Sequence, residues 1–121
     1  MKSGVLIVDD LQFVRISIKE ILQREGITVA GEAENGYTAL KLYEEKKPDI
    51  VLLDITMPVM DGLTALKLLK ATYPESTVIM CSALGQQKYI IKAIQLGADD
   101  FVVKPFNPER LVNAIRKALR T

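Results

Sequence analysis

Five short apolar runs, each followed by a stretch of helical periodicity, narrow what this chain can become. The runs are Val5 to Val8, Ile27 to Ala30, Ile50 to Leu53, Thr77 to Cys81 and Phe101 to Val103. Between them apolar residues return every three or four positions, as in Val14, Ile18, Ile21 and Leu22, or Leu111, Ile115, Ala118 and Leu119. That spacing marks an amphipathic helix. Turn residues punctuate the changes of period, among them Gly26, Gly36, Asp61-Gly62, Gly97 and Asn107-Pro108. Strands alternating with helices predict an α/β fold: a doubly wound, five-stranded parallel sheet with right-handed crossovers and helices on both faces. The first, third and fourth runs lack polar alternation, as strands covered on both faces do. Val29-Ala30-Gly31-Glu32 reads as an edge strand.

Composition sets the outer limits. The chain has 121 residues, room for one domain spanning 1–121 with a proper core, and not for two. Lys and Arg total 16 against 15 Asp and Glu, and the basic residues are dispersed, so no direct nucleic-acid contact is expected. No apolar run reaches membrane-spanning length, and no signal-peptide pattern follows Met1-Lys2-Ser3-Gly4. With a single cysteine, Cys81, read as a small buried hydrophobe, an internal disulfide is excluded and a cytoplasmic location expected. There is no histidine. Histidine-based zinc sites, Ser-His-Asp triads and imidazole general bases therefore fall away together.

What remains gathers at the strand ends. The first run leads into Asp9-Asp10, the third into Asp54, the fourth into Ser82 and the fifth into Lys104-Pro105. In open α/β sheets the functional crevice lies outside the carboxyl ends of the central strands. Carboxylates suit Mg²⁺, which takes oxygen ligands and completes its shell with water and phosphate oxygens. Asp10, Asp54 and a backbone carbonyl near Thr56 are the expected ligands, with Asp9 behind them or acting through water. Packed acids repel, which raises their pKa values until a cation relieves the charge. Alternatively, Asp9-Asp10 simply caps the helix beginning near Gln12. Asp54 is a ligand, or also a nucleophile that attacks phosphorus to give an acyl phosphate. Lys104 and the Ser82 hydroxyl could neutralise phosphoryl oxygens, as could the Ala83 N–H. Taken singly, Ser82 also suits a local backbone bond, and Lys104 a solvated surface site. Pro105 restricts Lys104 to extended geometry and permits a cis bond. Phe101 is expected in the core. Tyr89, Ile90 and Ile91 are more large apolar groups than one buried helix face holds, which leaves a thinly covered helix or a partner surface.

These motifs together resemble the receiver domain of bacterial two-component response regulators, most of all the CheY-like chemotaxis regulators. The resemblance runs over the whole chain and rests on Asp9-Asp10, Asp54, Met57-Pro58, Asp61-Gly62, Ser82-Ala83 and Lys104-Pro105-Phe106. It implies the flavodoxin-like (βα)5 strand order 2-1-3-4-5, of which CheY is itself a standard example. It further implies Asp54 as phosphoacceptor, Asp9 and Asp10 as metal-binding acids, Ser82 and Phe101 as switch residues and Lys104 as the phosphate-binding lysine. Phe101 stands where some members carry tyrosine, so a phenol hydrogen bond is lost. The implied phosphodonor is a histidine kinase, which accounts for the missing histidine. The implied chemistry is the chain's own Mg²⁺-dependent phosphoryl transfer and dephosphorylation, outside the usual class of enzymes.

The resemblance also implies a monomer whose output partner binds the surface of the fourth helix, fifth strand and fifth helix. For the chemotaxis subset that partner is the flagellar switch protein. Two alternatives within the family stay open: the receiver of a DNA-binding transcriptional regulator, and a phosphorelay intermediate. Rivals outside it fit worse. A flavodoxin-like carrier would place a flavin phosphate on Asp9-Asp10-Leu11-Gln12, which repels it. Phosphohydrolases with an Asp nucleophile usually carry a second acid where this chain has Thr56.

Overall fold

A computed structural model of the protein describes residues 3–120. It shows strands β1 (Val5–Val8), β2 (Val29–Ala33), β3 (Ile50–Asp54), β4 (Val78–Ser82) and β5 (Asp100–Val103). They alternate with helices α1 (Gln12–Arg24), α2 (Gly36–Lys46), α3 (Gly62–Thr72), α4 (Gln87–Gln95) and α5 (Pro108–Leu119). The strands form one sheet in the order β2-β1-β3-β4-β5, and every pair is parallel. The expected α/β architecture and strand order are both present.

Alternation within each strand divides the core in two. Leu6, Val8, Val51, Leu53, Val78 and Met80 face α2, α3 and α4. Val5, Ile7, Ile50, Leu52, Ile79 and Cys81 face α1 and α5. Every residue of β1, β3 and β4 is buried, which is why these strands carry no polar alternation. The edge strand β2 is mostly half-buried, as its composition foretold.

Strand boundaries shift by one to three residues from the sequence reading in β2, β3, β4 and β5. The second strand begins at Val29, because the Ile27 N–H donates to the Leu22 carbonyl and so finishes the turn after α1. Its pairing with β1 then slips between Val5 and Leu6 and runs on to Ala33. The fourth strand extends to Ser82, whose carbonyl accepts the Lys104 N–H at 2.7 Å. Asn35, Asp61 and Asn107 cap α2, α3 and α5, each accepting a backbone N–H in the first turn. Among the described residues no helix is long and apolar enough to cross a membrane.

Candidate functional site

The parallel register sets the site. Val8 pairs with Leu53 and Asp54 with Cys81, so β1 and β3 deliver Asp9 and Asp54 to the same edge, beside Ser82. Asp9, Asp10 and Asp54 each offer a carboxylate oxygen, and these oxygens lie within 4.8 Å of one another. Lys104 reaches the cluster from the end of β5. Its Nζ stands 2.6 Å from Asp9 Oδ2 and 3.1 Å from Asp54 Oδ1. The Lys104-Pro105 bond is cis. Asp9 Oδ1 accepts the Leu11 N–H at 2.9 Å, and Asp54 Oδ1 accepts the Ile55 N–H at 3.0 Å. Asp9 does not cap α1: the cap position is Leu11, and no side chain bonds the helix N–H groups there. The capping alternative fails, and the acids are left for other chemistry.

Burial dominates the electrostatics. Asp9 and Asp54 are 1% and 5% exposed. Burial pushes Asp54 up from the ordinary carboxylate value to about 6, the charges of Asp9 and Asp10 add to it, and Lys104 works against it. For Lys104 itself burial opposes the charge. The bond to Asp9 and the field of Asp54 outweigh that and raise its pKa. In the folded state Asp54 thus holds its proton more tightly than in the unfolded chain. Its contribution to metal-free stability is unfavourable above pH 6 and lessens as pH falls through 6 toward 3.8. Urea midpoints with a chelator at pH 8 and pH 5, measured beside an Asp54→Asn variant, should show the two proteins converging at the lower pH. A constant gap would contradict the shift.

Lys104 is the only cation in contact with two buried acids among the described residues. A Lys104→Met variant is expected to lose about 2–4 kcal/mol of metal-free stability, because it strands like charges in a dry site. Mg²⁺ should return much of that loss. Urea titrations with and without the ion test this, and unchanged stability in both would refute it.

Around this centre the side chains differ from expectation in three places. Ser82 is buried, yet its hydroxyl makes no hydrogen bond among the described residues, so the local backbone partner is missing. The Ala83 N–H, expected as an open donor, instead donates to Gln86 Oε1 at 2.7 Å. Gln86 Nε2 in turn donates to Thr56 Oγ1 at 2.7 Å. Phe101 is not in the core: it is 36% exposed, and Val102 is the buried residue of β5. Strand parity explains the exchange. Val102 pairs with Cys81 and joins the core against α1 and α5, which turns Phe101 and Val103 to the face that the short α4 covers thinly. On α4 itself Ile90 is buried, while Ile91 and Ile94 are 65% and 57% exposed.

Sequence reasoning passed over two residues that shape the site. One is Gln86. The other is Gly62, read as part of a turn and of the Asp61-Gly62 motif but given no role, whose N–H donates to the Ile55 carbonyl at 2.7 Å. An Asp-Gly pair opening a helix straight after a strand-end acid was the available signal.

A buried acid on β3, flanked by two acids and a lysine at the edge of a 2-1-3-4-5 sheet, describes a known family. The family model for the response regulator receiver domain matches residues 5–116. The chain belongs to that family. The receiver is 53% identical over 119 residues to the chemotaxis protein CheY of Bacillus subtilis, covering 98% of this chain and 99% of that one. Its fold matches the crystallised receiver domain of NtrX from Brucella abortus with a TM-score of 0.91, at 35% identity, over 97% and 98% of the two chains. It also matches a chain in the CheX-CheY-BeF3-Mg complex of Borrelia burgdorferi, with a TM-score of 0.88 at 36% identity, over 93% of this chain and 86% of that one. Receivers are phosphorylated on an aspartate, bind Mg²⁺ through acidic residues and switch partners on phosphorylation. The acid cluster of this receiver has the donor set such an ion takes.

Proposed function

We propose that Asp54 is the phosphoacceptor of this receiver. A carboxylate oxygen of Asp54 attacks phosphorus of a phosphohistidine on a partner kinase, and the imidazole leaves with the electrons of the broken P–N bond. Attack by water on the same phosphorus later restores the carboxylate. One observation carries the reading. Asp54 Oδ1 is held by the Ile55 N–H and the Lys104 ammonium, while neither contact falls on Oδ2. One oxygen is oriented and the other is left for the incoming group. Asp9, Asp10, Asp54 and the Thr56 backbone carbonyl would hold Mg²⁺, which supplies positive charge to the phosphoryl oxygens when bound. Lys104 adds its ammonium from the other side, and Ser82 a hydroxyl with no competing bond.

The output surface is the face of α4, β5 and α5, with Ser82 and Phe101 as the switch. Phosphorylation adds charge and acceptor oxygens that draw in Ser82 and Lys104, and the space vacated admits Phe101. The exposed Ile91, Ile94 and Phe101 support this reading. The closeness to chemotaxis CheY proteins favours a histidine kinase as donor and the flagellar switch protein as target. We further infer a single receiver domain over 1–121 that works as a cytoplasmic monomer and touches neither membrane nor nucleic acid itself. The decisive experiment is labelling by a small acyl phosphate, with and without Mg²⁺. Labelling that survives chelation of the ion, or that maps to a residue other than Asp54, would overturn the assignment.

A further inference from the structure

The carboxamide of Gln86 is used at both ends. Its Oε1 accepts the Ala83 N–H and its Nε2 donates to the Thr56 hydroxyl, each at 2.7 Å. Ala83 directly follows Ser82, and Thr56 stands two residues beyond Asp54. The side chain therefore ties the loop after β3 to the loop after β4, across the mouth of the acceptor site. The backbone adds a reason for it to move as a unit. Gln86 is the cap residue of α4 and its N–H donates to the Ala83 carbonyl at 3.1 Å. Gly85, just before it, has a φ of +91° and nothing within 4 Å of where a side chain would begin. The chain there has room to turn.

The sequence places the Ala83 N–H among the donors open to a phosphoryl group on Asp54, and the present inference rests on Asp54 as phosphoacceptor. One N–H makes one well-aligned bond. As long as Gln86 Oε1 occupies it, Ala83 cannot serve a phosphoryl group. We propose that Gln86 is a latch: it holds Ala83 and Thr56 together in the unphosphorylated receiver and must release both before the phosphoryl group is fully bound. Gln86 touches no reacting atom and is a positioning residue. Phosphorylation, by displacing it, frees the cap residue of α4, the helix whose outer side carries Ile91 and Ile94. Thr56 enters the same balance, since its hydroxyl is the latch's second anchor. Its effect on the phosphorylated state runs through Gln86.

The test is the binding of beryllium fluoride with Mg²⁺, a phosphoryl mimic, followed by fluorine NMR titration of the full chain. Gln86→Ala removes the competitor without touching a phosphoryl ligand, so affinity should rise about three- to tenfold, the worth of one exposed neutral hydrogen bond. Gln86→Met should do the same while keeping the length of the side chain. Thr56→Val removes one anchor and should tighten binding by a smaller factor. The double variant, Gln86→Ala with Thr56→Val, should bind no more tightly than Gln86→Ala alone, because both act through one side chain. Mere loosening of the loop would weaken binding. Unchanged or weaker binding in both Gln86 variants, or independent effects of the Gln86 and Thr56 substitutions, would overturn the latch. If the unmodified receiver binds no mimic in the presence of Mg²⁺, the phosphoacceptor reading fails instead.

Discussion

An Asp54→Asn variant is expected to lose all Mg²⁺-dependent labelling by a small acyl phosphate and to become the more stable protein in the absence of the ion. The two effects share a cause. The amide keeps the shape of the side chain but cannot attack phosphorus, so the loss should be complete rather than graded. The amide also removes a charge from a site where burial has already pushed the Asp54 pKa to about 6. A shift of that size corresponds to about 3 kcal/mol of unfavourable charge at neutral pH. The neutral amide recovers part of it, about 1–2 kcal/mol, since its own polar groups must still be satisfied. Mg²⁺ should reverse the order, stabilising the unmodified protein by mass action and the variant hardly at all. Mass spectrometry of the labelled protein and urea titrations at pH 8 read both effects. Labelling at full level in the variant would refute Asp54 as acceptor.

The second large effect comes from a glycine. Gly62→Ala is expected to cost about 3 kcal/mol or more, although alanine is the better helix former by about 1 kcal/mol. Gly62 opens α3 directly against the end of β3. A Cβ there would overlap the Asp54 carbonyl oxygen, and would sit 2.8 Å from its carbon and 2.9 Å from Ile55 Cα. All of these are backbone atoms and none can rotate away. Relief requires α3 or the end of β3 to move, and with it the phosphoacceptor. Folded variant, recovered at low temperature, should therefore also label poorly. Gly26→Ala is the control: it has a φ of +71° but no atom within 4 Å, so only the left-handed backbone is strained, at about 1 kcal/mol. Urea midpoints compare the two. A Gly62→Ala protein as stable as the unmodified one would show that the close approach is not needed.

Much of this protein is legible before any coordinates. The alternation of buried runs with helical spacing leads to the doubly wound sheet, because strands covered on both faces need unbroken apolar sequence and helices need a stripe. The acids and lysine stand out for a related reason: Asp9, Asp54 and Lys104 follow apolar runs directly, where a charge has no packing role. Resemblance to the receiver family then supplies strand order and roles. The misreadings have physical sources too. Ile27 is apolar because its side chain is buried in the core against α1 and α5, although it lies in the turn after α1 and not in the strand. Phe101 looks like core by type, yet strand parity gives that place to Val102.

Local pattern thus establishes the elements, the buried strands and the residue types at the sheet edge, since period and hydrophobicity are properties of neighbours in sequence. Distances between strand ends are not. That Lys104 lies against both Asp9 and Asp54, from across the chain, follows from register in the parallel sheet. That Gly62 leaves room for the Asp54 carbonyl, and that Gln86 rather than solvent meets Ala83 and Thr56, follows from how two loops pack over one edge. The ion pairs of Lys104 and the Gln86–Thr56 bond join residues far apart along the chain, and only the folded packing brings them within bonding range.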